Sequence, residues 1–296
     1  MNKTLGLLTA ALILAGTPGL VRAQTPIVQF NFNETGTSAA DSGSDATAAT
    51  LNSAGTATDL HSASGTGVSN TAGDEAFDGT SASTMGNSAS GGQALLTAAV
   101  PALESLESFT LTGWFKTDGS EVIGSGARLF SQPGTGAGFS LNGDNATAGK
   151  LDLTVNGTVI ASTAASYTTA GQWTFFAVTY NGTATSSNVK FYIGNSASSV
   201  TLASTVSLNK GTEVSPNAAL SIGQTAAGAA SFDGLLDDMA VYGSSTDASG
   251  ALTLSQLDTI RLADLSAVPE PSDLALVACG AVALLCGWRR RAVLLG

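Results

Sequence analysis

The chain is poor in the residues that most often carry chemistry. Its 296 residues include two cysteines and one histidine. Cys279 and Cys286 both lie in an apolar run near the C-terminus, so the rest of the chain has no thiol for a disulfide or a redox site. A Ser-His-Asp triad would depend on His61 alone, which lies in a Ser- and Gly-rich stretch and is expected to be a solvated loop residue. Zinc chemistry, thiol chemistry and nucleophilic catalysis are therefore not expected.

Positive charge is also scarce. Lysine and arginine number 11, against 22 acidic residues. Five of the basic residues lie near the termini, at Lys3, Arg22 and Arg289–Arg291, as do two of the acids, Glu270 and Asp273. Between these ends six basic residues stand against 20 acidic ones, a net charge of −14. Such a charge argues against nucleic acid and anionic membrane surfaces as partners, and favours cations, neutral partners and solubility outside the cell.

The first 23 residues are typical of a signal peptide. Lys3 supplies the positive start, residues 5–14 form an apolar core, and the segment ends in the small residue that a signal peptidase prefers. We predict a signal helix that is cleaved between Ala23 and Gln24. The alternative, an uncleaved N-terminal anchor, is disfavoured because the apolar core is too short to span a membrane.

The C-terminal end combines a proline-flanked acid, an apolar run and a basic cluster. The apolar run, residues 274–288, would span about 22 Å as a helix, less than a hydrocarbon core of about 30 Å. The linker before it (265–273) carries the acidic motif, and the basic tail (289–296) would stay cytoplasmic by the positive-inside rule. We predict a short transmembrane helix in the inner membrane. The motif and the cluster are Val268, Pro269, Glu270 and Pro271, followed by Arg289, Arg290 and Arg291.

This three-part tail resembles the PEP-CTERM sorting signal of Gram-negative bacteria. The resemblance covers residues 268–291 and depends on the order of the three parts. It implies recognition by an exosortase-type membrane protease, removal of the tail, and release or attachment at the cell envelope, often alongside exopolysaccharide production. The alternative is a plain C-terminal membrane anchor.

Short apolar segments separated by turn residues predict an all-β protein. Residues 27–32 alternate in hydrophobicity and predict a strand with Phe30 and Phe32 on one face. Asn-Gly at 156–157, between two alternating segments, predicts a tight hairpin. Residues 173–180 are apolar on both faces, as in a central strand of a two-layer sandwich. The fold class predicted is an antiparallel two-sheet sandwich or jelly roll.

A closing helix and a sparse region complete the pattern. A capping box at residues 253–256 predicts a short helix with Leu254, Leu257 and Ile260 on one side. Residues 36–99 lack long apolar runs, and their composition suits exposed loops and edge strands, with disorder as the alternative. The β-like fragments at both ends of this region favour a segment that is threaded through a sheet.

Six segments of the chain follow one another in an order that is itself informative. They are Phe32-Asn33-Glu34, Asp41-Ser42-Gly43, Ala76-Phe77-Asp78-Gly79, Ser108–Phe115, Gly171–Tyr180 and Phe232–Asp238. In this order they resemble a laminin-G-like domain of the concanavalin A-like lectin/glucanase superfamily, over residues 26–264. The resemblance implies a jelly roll of two large sheets.

Some members of that superfamily are glucanases, and these carry a recognisable catalytic motif. Retaining hydrolysis needs two carboxylates about 5 Å apart, which those enzymes place on one strand face in a Glu-x-Asp-x-Glu pattern. None of the seven glutamates is followed by an aspartate two residues later. Glu75 is followed by Asp78, a spacing that puts the two on opposite faces of a strand. The sequence therefore predicts a protein that is not an enzyme.

The same resemblance implies a calcium site near the opening strand, the Asp-Ser-Gly loop and the last strand. Ca²⁺ takes six to eight oxygen ligands. The chain departs from the family pattern, since Asn33 stands where an acid is common and the usual Gly-Asn-Gly is missing after Asp41. By strand alternation Asp237 and Asp238 would point to opposite sides, and the alternative role for either is a hydrogen bond to a neighbouring loop. The ligands implied are Asn33, Glu34, Asp41, Asp237 and Asp238.

Aromatic residues make up 6% of the chain, which limits the number of platforms on which a sugar could stack. After the expected processing Trp114 and Trp173 remain, and both are predicted to pack in the core. The sequence predicts an exported binding or adhesion module of the cell envelope or extracellular matrix, with a polysaccharide or a surface protein as partner. The alternatives are a purely structural envelope protein and a glycan-active hydrolase.

Overall fold

Two antiparallel sheets face each other in the computed structural model, which describes residues 24–87 and 90–266. Three short 3₁₀ helices, at Thr80–Ala82, Pro101–Leu103 and Ala248–Gly250, lie in the connections. The strands and the α-helix, in chain order, are β1 (Val28–Phe30), β2 (Ser38–Ala39), β3 (Ala49–Ser53), β4 (Thr56–Ala57), β5 (Phe77–Asp78), β6 (Gly92–Leu96), β7 (Ser108–Thr117), β8 (Arg128–Gly134), β9 (Ala137–Gly143), β10 (Leu151–Val155), β11 (Thr158–Ala161), β12 (Thr174–Asn181), β13 (Val189–Asn195), β14 (Thr201–Val206), β15 (Ser221–Ile222), β16 (Gly234–Ser244) and α1 (Leu254–Asp264).

The order of the strands confirms the predicted fold class. The first sheet has seven strands in the order β1-β16-β7-β12-β13-β14, with β5 paired to β16. The second has nine, in the order β11-β10-β9-β8-β15-β6-β3-β2, with β4 paired to β3. The pairs at the centre of each sheet are antiparallel, as in a two-sheet jelly-roll sandwich.

A core of large apolar side chains fills the space between the sheets, and a second, smaller core lies on the outer face of the seven-stranded sheet. Strand β12 contributes to both, because its side chains alternate. Phe176 and Val178 belong to the inner core, while Phe175 and Ala177 belong to the outer one. β12 pairs with β7 on one side and β13 on the other, which confirms the central strand that its two apolar faces predicted.

The predicted hairpin is present between β10 and β11. Asn156 and Gly157 connect the two strands with φ values of 50° and 72°, the left-handed values that a tight primed turn requires. The sparse region of residues 36–99 is threaded through the nine-stranded sheet, as expected. Its strands β3 and β6 pair with each other inside that sheet, and β5 pairs with β16 of the seven-stranded sheet.

Two further boundaries differ from the sequence pattern. The opening strand ends at Phe30 rather than at residue 32, because Phe32 has a φ of 53° that no strand tolerates. Phe32 is nevertheless fully buried in the inner core. The capping box of α1 is present, and Leu257 and Ile260 pack against the sheet, but Leu254 at the first helical position is 44% exposed.

The outer core is covered by α1 and by the loop of residues 67–74. Val68 from the loop and Leu257 from the helix pack around Trp114 of β7. The indole Nε1 of Trp114 donates a hydrogen bond of 2.9 Å to Asp264 Oδ2 at the end of α1, which fixes the helix on the sheet. Within the described residues no helix is long and apolar enough to cross a membrane. The predicted signal helix, sorting motif and transmembrane segment lie outside those residues.

Candidate functional site

The residues expected near the opening strand are occupied with hydrogen bonds to the backbone. Asn33 Oδ1 accepts from the amide of Glu75 at 2.7 Å, and Glu34 Oε1 accepts from the amide of Ala40 at 3.2 Å. Asp41 Oδ1 accepts two amide hydrogens, from Gln29 at 2.8 Å and from Gly43 at 2.7 Å. These contacts close the Asp-Ser-Gly loop onto β1. Burial raises the pKa of Asp41, although its amide partners act in the opposite direction.

His61 is not a solvated loop residue, and that expectation was wrong. Its side chain is 3% exposed and lies between two carboxylates. The ring Nδ1 is 2.8 Å from Asp59 Oδ1, and Nε2 is 3.8 Å from Glu34 Oε2. The hydrogen bonds from His61 lower the pKa of Asp59. An isolated β-bridge joins the backbones of His61 and Phe77, and no sequence pattern indicates it.

Asp237 and Asp238 belong to a group of four carboxylates beside α1, together with Asp74 and Asp264. Asp237 Oδ2 accepts from the amide of Val68 at 2.8 Å, and its Oδ1 accepts from the amide of Asp238 at 2.9 Å. Burial raises the pKa of Asp237, Asp238 and Asp264, to about 7 for Asp264. The charges of Asp74 and Asp264 raise the pKa of Asp237 and Asp238 further.

The expectation that Asp237 and Asp238 point to opposite sides assumed a regular strand, and β16 is irregular at these residues. Pairing of β16 with β7 shifts register between Asp237 and Ala240, and Asp238 has a φ of 48°. This β-bulge breaks the strict alternation of a strand. Both carboxylates consequently feel the same two neighbouring charges.

Among residues 24–87 and 90–266 the acidic side chains do not form a metal centre by themselves. The part of the chain that the structure describes contains no group of three or more His, Cys, Asp or Glu side chains able to hold a metal ion. The five residues implied as calcium ligands therefore do not meet as one carboxylate shell. A calcium site there remains a prediction from the family resemblance.

A cleft of about 440 Å³ opens at one end of the seven-stranded sheet, where β7 and β13 end and β12 begins. Its wall includes Trp173, which comes just before β12, and Lys116, near the end of β7. No Asp or Glu is among the lining residues. They are Asn70, Lys116, Thr169, Gly171, Gln172, Trp173, Thr174, Ile193, Gly194, Asn195, Ser196 and Ala197.

Trp173 was expected to pack in the core, and it does so in part. Its ring packs against the outer core but remains partly exposed, whereas Trp114 is fully buried. The difference arises because β12 begins at Thr174, so that Trp173 lies just beyond the end of the strand and faces the cleft. Its Nε1 is buried without a hydrogen-bond partner.

Hydrogen bonds within the protein fix the loop of residues 195–198, which forms the far side of the cleft. Asn195 Oδ1 accepts from the amides of Ala197 at 2.8 Å and Ser198 at 2.7 Å. Arg261 Nη1 of α1 donates to the backbone oxygen of Asn195 at 3.0 Å. A wall fixed in this way lowers the entropic cost of binding a ligand.

Comparison with known proteins identifies the family. A model of the laminin G type, described as the concanavalin A-like lectin/glucanases superfamily, matches residues 87–249. The chain belongs to this family. A search among curated proteins found no match.

Solved structures share the fold at low sequence identity. Domain 4 of AbnA, a GH43 extracellular arabinanase from Geobacillus stearothermophilus solved with arabinotriose, is 16% identical with a TM-score of 0.50, over 81% of this chain and 99% of that domain. The receptor binding domain of botulinum neurotoxin mosaic serotype C/D is 13% identical with a TM-score of 0.49. That match covers 81% of this chain and 51% of the toxin domain. At these identities the likeness concerns the fold alone.

Proposed function

We propose that this laminin-G-like chain is an exported, non-catalytic binding module that holds a saccharide in the Trp173 cleft. The observation that carries this proposal is the partly exposed ring of Trp173, with its unpartnered Nε1, on the wall of a cleft of about 440 Å³. Sugar rings stack on aromatic faces, and small-ligand sites combine such an apolar surface with a few polar groups that fix orientation. The arabinotriose bound by AbnA domain 4 is in keeping with a saccharide as the ligand class.

Hydrolysis of the saccharide is not part of the proposal. A glycosidase needs two carboxyl groups that flank the scissile bond. The lining of the cleft contains no Asp or Glu, and the Glu-x-Asp-x-Glu pattern is missing from the sequence. The cleft residues can bind and orient a sugar, but they offer no pair of carboxyl groups for its hydrolysis.

The test is retention on the producing organism's own extracellular polysaccharide. Full-length chain, kept in solution with a mild detergent, is passed over the immobilised polysaccharide with calcium and with EDTA. We expect retention of the wild type and its loss in Trp173→Ala, because the aromatic surface on which a sugar stacks disappears. Val159→Ala is the matched control, since Val159 is 57% exposed on the other sheet. Retention that survives Trp173→Ala would move the site elsewhere.

Export and sorting complete the proposal. We take Gln24 as the first residue after signal cleavage, and the motif at 268–271 as the site read by an exosortase-type protease at the inner membrane. The support is the order of motif, apolar run and basic cluster in the sequence. Replacing Glu270 and its flanking prolines by alanine should leave the tail uncleaved, as measured by the mass of the chain recovered from the producing cells. Normal processing of that variant would contradict the sorting role.

A further inference from the structure

On one side of the sandwich the edges of both sheets are covered or short. Strand β1 is covered by the loop of residues 41–45, whose amides donate to the backbone oxygens of Gln29 and Ile27. The nine-stranded sheet ends on this side in β2 and β4, which have two residues each and both pair with β3. Another strand finds little open backbone here.

The opposite side of the sandwich presents two longer edges, β14 and β11. Thr163, just after β11, contacts Ser204 Oγ of β14 through its amide and its hydroxyl, each at 2.9 Å, so the two edges lie side by side. Within residues 24–87 and 90–266 the backbone of neither strand bonds outside its own sheet. Every second residue of such a strand directs its N–H and C=O groups away from the sheet.

Both edges lack the residues that usually prevent strands of different chains from pairing. Natural edge strands carry lysine, other charged side chains or proline for this purpose. Residues 158–168 and 196–208 contain no charged residue and no proline. A β-bulge interrupts β14 between Leu202 and Ser204, but Ser204–Val206 continues as regular strand. The backbone of β14 is therefore open to another strand.

Large apolar side chains are exposed along the same side. Leu202 of β14 is 51% exposed and Val159 of β11 is 57% exposed. Val214 is 52% exposed, and its amide donates to Asn156 in the turn between β10 and β11. Apolar side chains gathered beside open strand edges are typical of a surface that binds another protein.

The charge of the molecule limits what can approach this side. Between the predicted signal peptide and the sorting motif, six basic residues stand against 20 acidic ones, so two copies repel each other over most of their surface. The uncharged edges are where a second copy meets the least repulsion. The chain beyond residue 266 suits the edge less well, because Pro269 and Pro271 cannot donate hydrogen bonds to a strand.

We propose that a second copy of the chain binds this side, with β14 paired to β14 of the copy about a two-fold axis. An edge strand complements itself in this arrangement, because antiparallel pairing exchanges the same N–H and C=O groups between the copies. The seven-stranded sheet then continues from one copy into the other, and Leu202 is removed from water. This dimer does not depend on what the Trp173 cleft binds.

The experiment measures the mass and the amide exchange of the full-length chain in a mild detergent over a range of concentrations. We expect a dimer with a Kd of about micromolar, which tightens as salt screens the repulsion between the copies. Hydrogen exchange of residues 201–206 should slow as the concentration rises, while that of residues 56–57 in β4 stays constant. A dimer that leaves the exchange of residues 201–206 unchanged associates elsewhere, for instance through the C-terminal apolar run, and would overturn the proposal.

A pair of variants with the same charge change assigns the contact to β14. Thr205 is exposed and lies opposite Lys190 of β13, so a glutamate there gains a partner within the fold. Thr205→Glu should weaken the dimer at least about tenfold, because a carboxylate on each copy enters the interface. Thr56→Glu places the same charge on the exposed strand β4, on the other side of the sandwich, and should change the Kd by less than about twofold.

Three outcomes would contradict the proposal. Equal weakening by both variants would show a general charge effect. A wild type that remains monomeric up to about 100 μM would mean that the edges do not pair at a meaningful affinity. Protection of residues 201–206 in a particle with the mass of a monomer would assign the edge to another segment of the same chain.

Discussion

Asp264→Asn is expected to stabilise the protein, and to do so only when the pH is high enough to ionise Asp264. Burial raises the pKa of this carboxyl from 3.8 to about 7, so ionising it in the folded state is costly. Three units correspond to about 4 kcal/mol at about 1.4 kcal/mol per unit, and relaxation of the site would reduce this to about 2 kcal/mol. Asparagine keeps a side-chain oxygen that can accept from Trp114 Nε1.

The direction of the pH dependence follows from the raised pKa. Between pH 4 and pH 7 the folded state holds a proton on Asp264 that the unfolded chain has lost, so the wild type loses stability as the pH rises through this range. Asp264→Asn cannot lose that contribution. The two proteins should therefore melt together near pH 4, and the variant should melt about 4 to 8 °C higher at pH 8.

A matched control lies six residues earlier, nearly two turns, on the same helix. Asp258 Oδ1 accepts from the amide of Val200 at 3.0 Å and from Arg261 Nε at 2.8 Å, and these bonds lower its pKa. Asp258→Asn makes the same change in net charge but should lower the melting temperature at pH 8, by the equivalent of about 1 kcal/mol or less. Thermal melts of the full-length chain in EDTA at pH 4 and pH 8 decide the matter. An Asp264→Asn variant that melts at or below the wild type at pH 8 would refute this reasoning.

Three other outcomes follow from the structure. Asn156→Ala should lower the free energy of unfolding by about 2 to 3 kcal/mol in urea melts. The variant loses a residue suited to the left-handed turn, the hydrogen bond of 2.7 Å from the amide of Val214 and the hydrogen bond of 3.0 Å to the oxygen of Thr212. An unchanged unfolding midpoint would contradict the role of this side chain. Tyr167→Phe removes a buried bond of 2.9 Å to the backbone oxygen of Tyr192 and should cost about 1 to 2 kcal/mol, with the melting temperature as the measure; no drop would mean that the bond contributes nothing net. If the family's calcium site is present, EDTA should lower the melting temperature relative to millimolar calcium, and identical melts would remove the idea.

The fold could be predicted from the sequence where one local pattern decided the structure. The apolar faces of residues 173–180 required burial on both sides, and only a central strand provides it. Asn156-Gly157 specified its hairpin through the backbone alone. Two local irregularities could not be predicted, the left-handed φ of Phe32 and the β-bulge at Asp238. Nothing in the sequence around either residue indicates a break in the strand.

The candidate site could be predicted only in fragments. Its lining comes from segments around residues 70, 116, 173 and 195, which are separated by tens of residues and meet only through the strand order of the sheet. Trp173 was considered as a platform for a sugar, but the apolar pattern of residues 173–180 predicted that it packs in the core. The sequence did not indicate that Lys116 belongs to the site, because a single lysine in a strand is common. Only the structure shows that it lines the cleft.

The most direct test of the Trp173 cleft is the indole N–H resonances of the ¹⁵N-labelled full-length chain during a saccharide titration. The sequence contains three tryptophans, and Trp173→Phe assigns the resonance of interest by its disappearance. With an oligosaccharide cut from a polysaccharide that retains the chain, we expect the Trp173 resonance to shift to saturation while that of Trp114, already bonded to Asp264, stays in place. Saturable binding that leaves the Trp173 resonance unmoved would contradict the account.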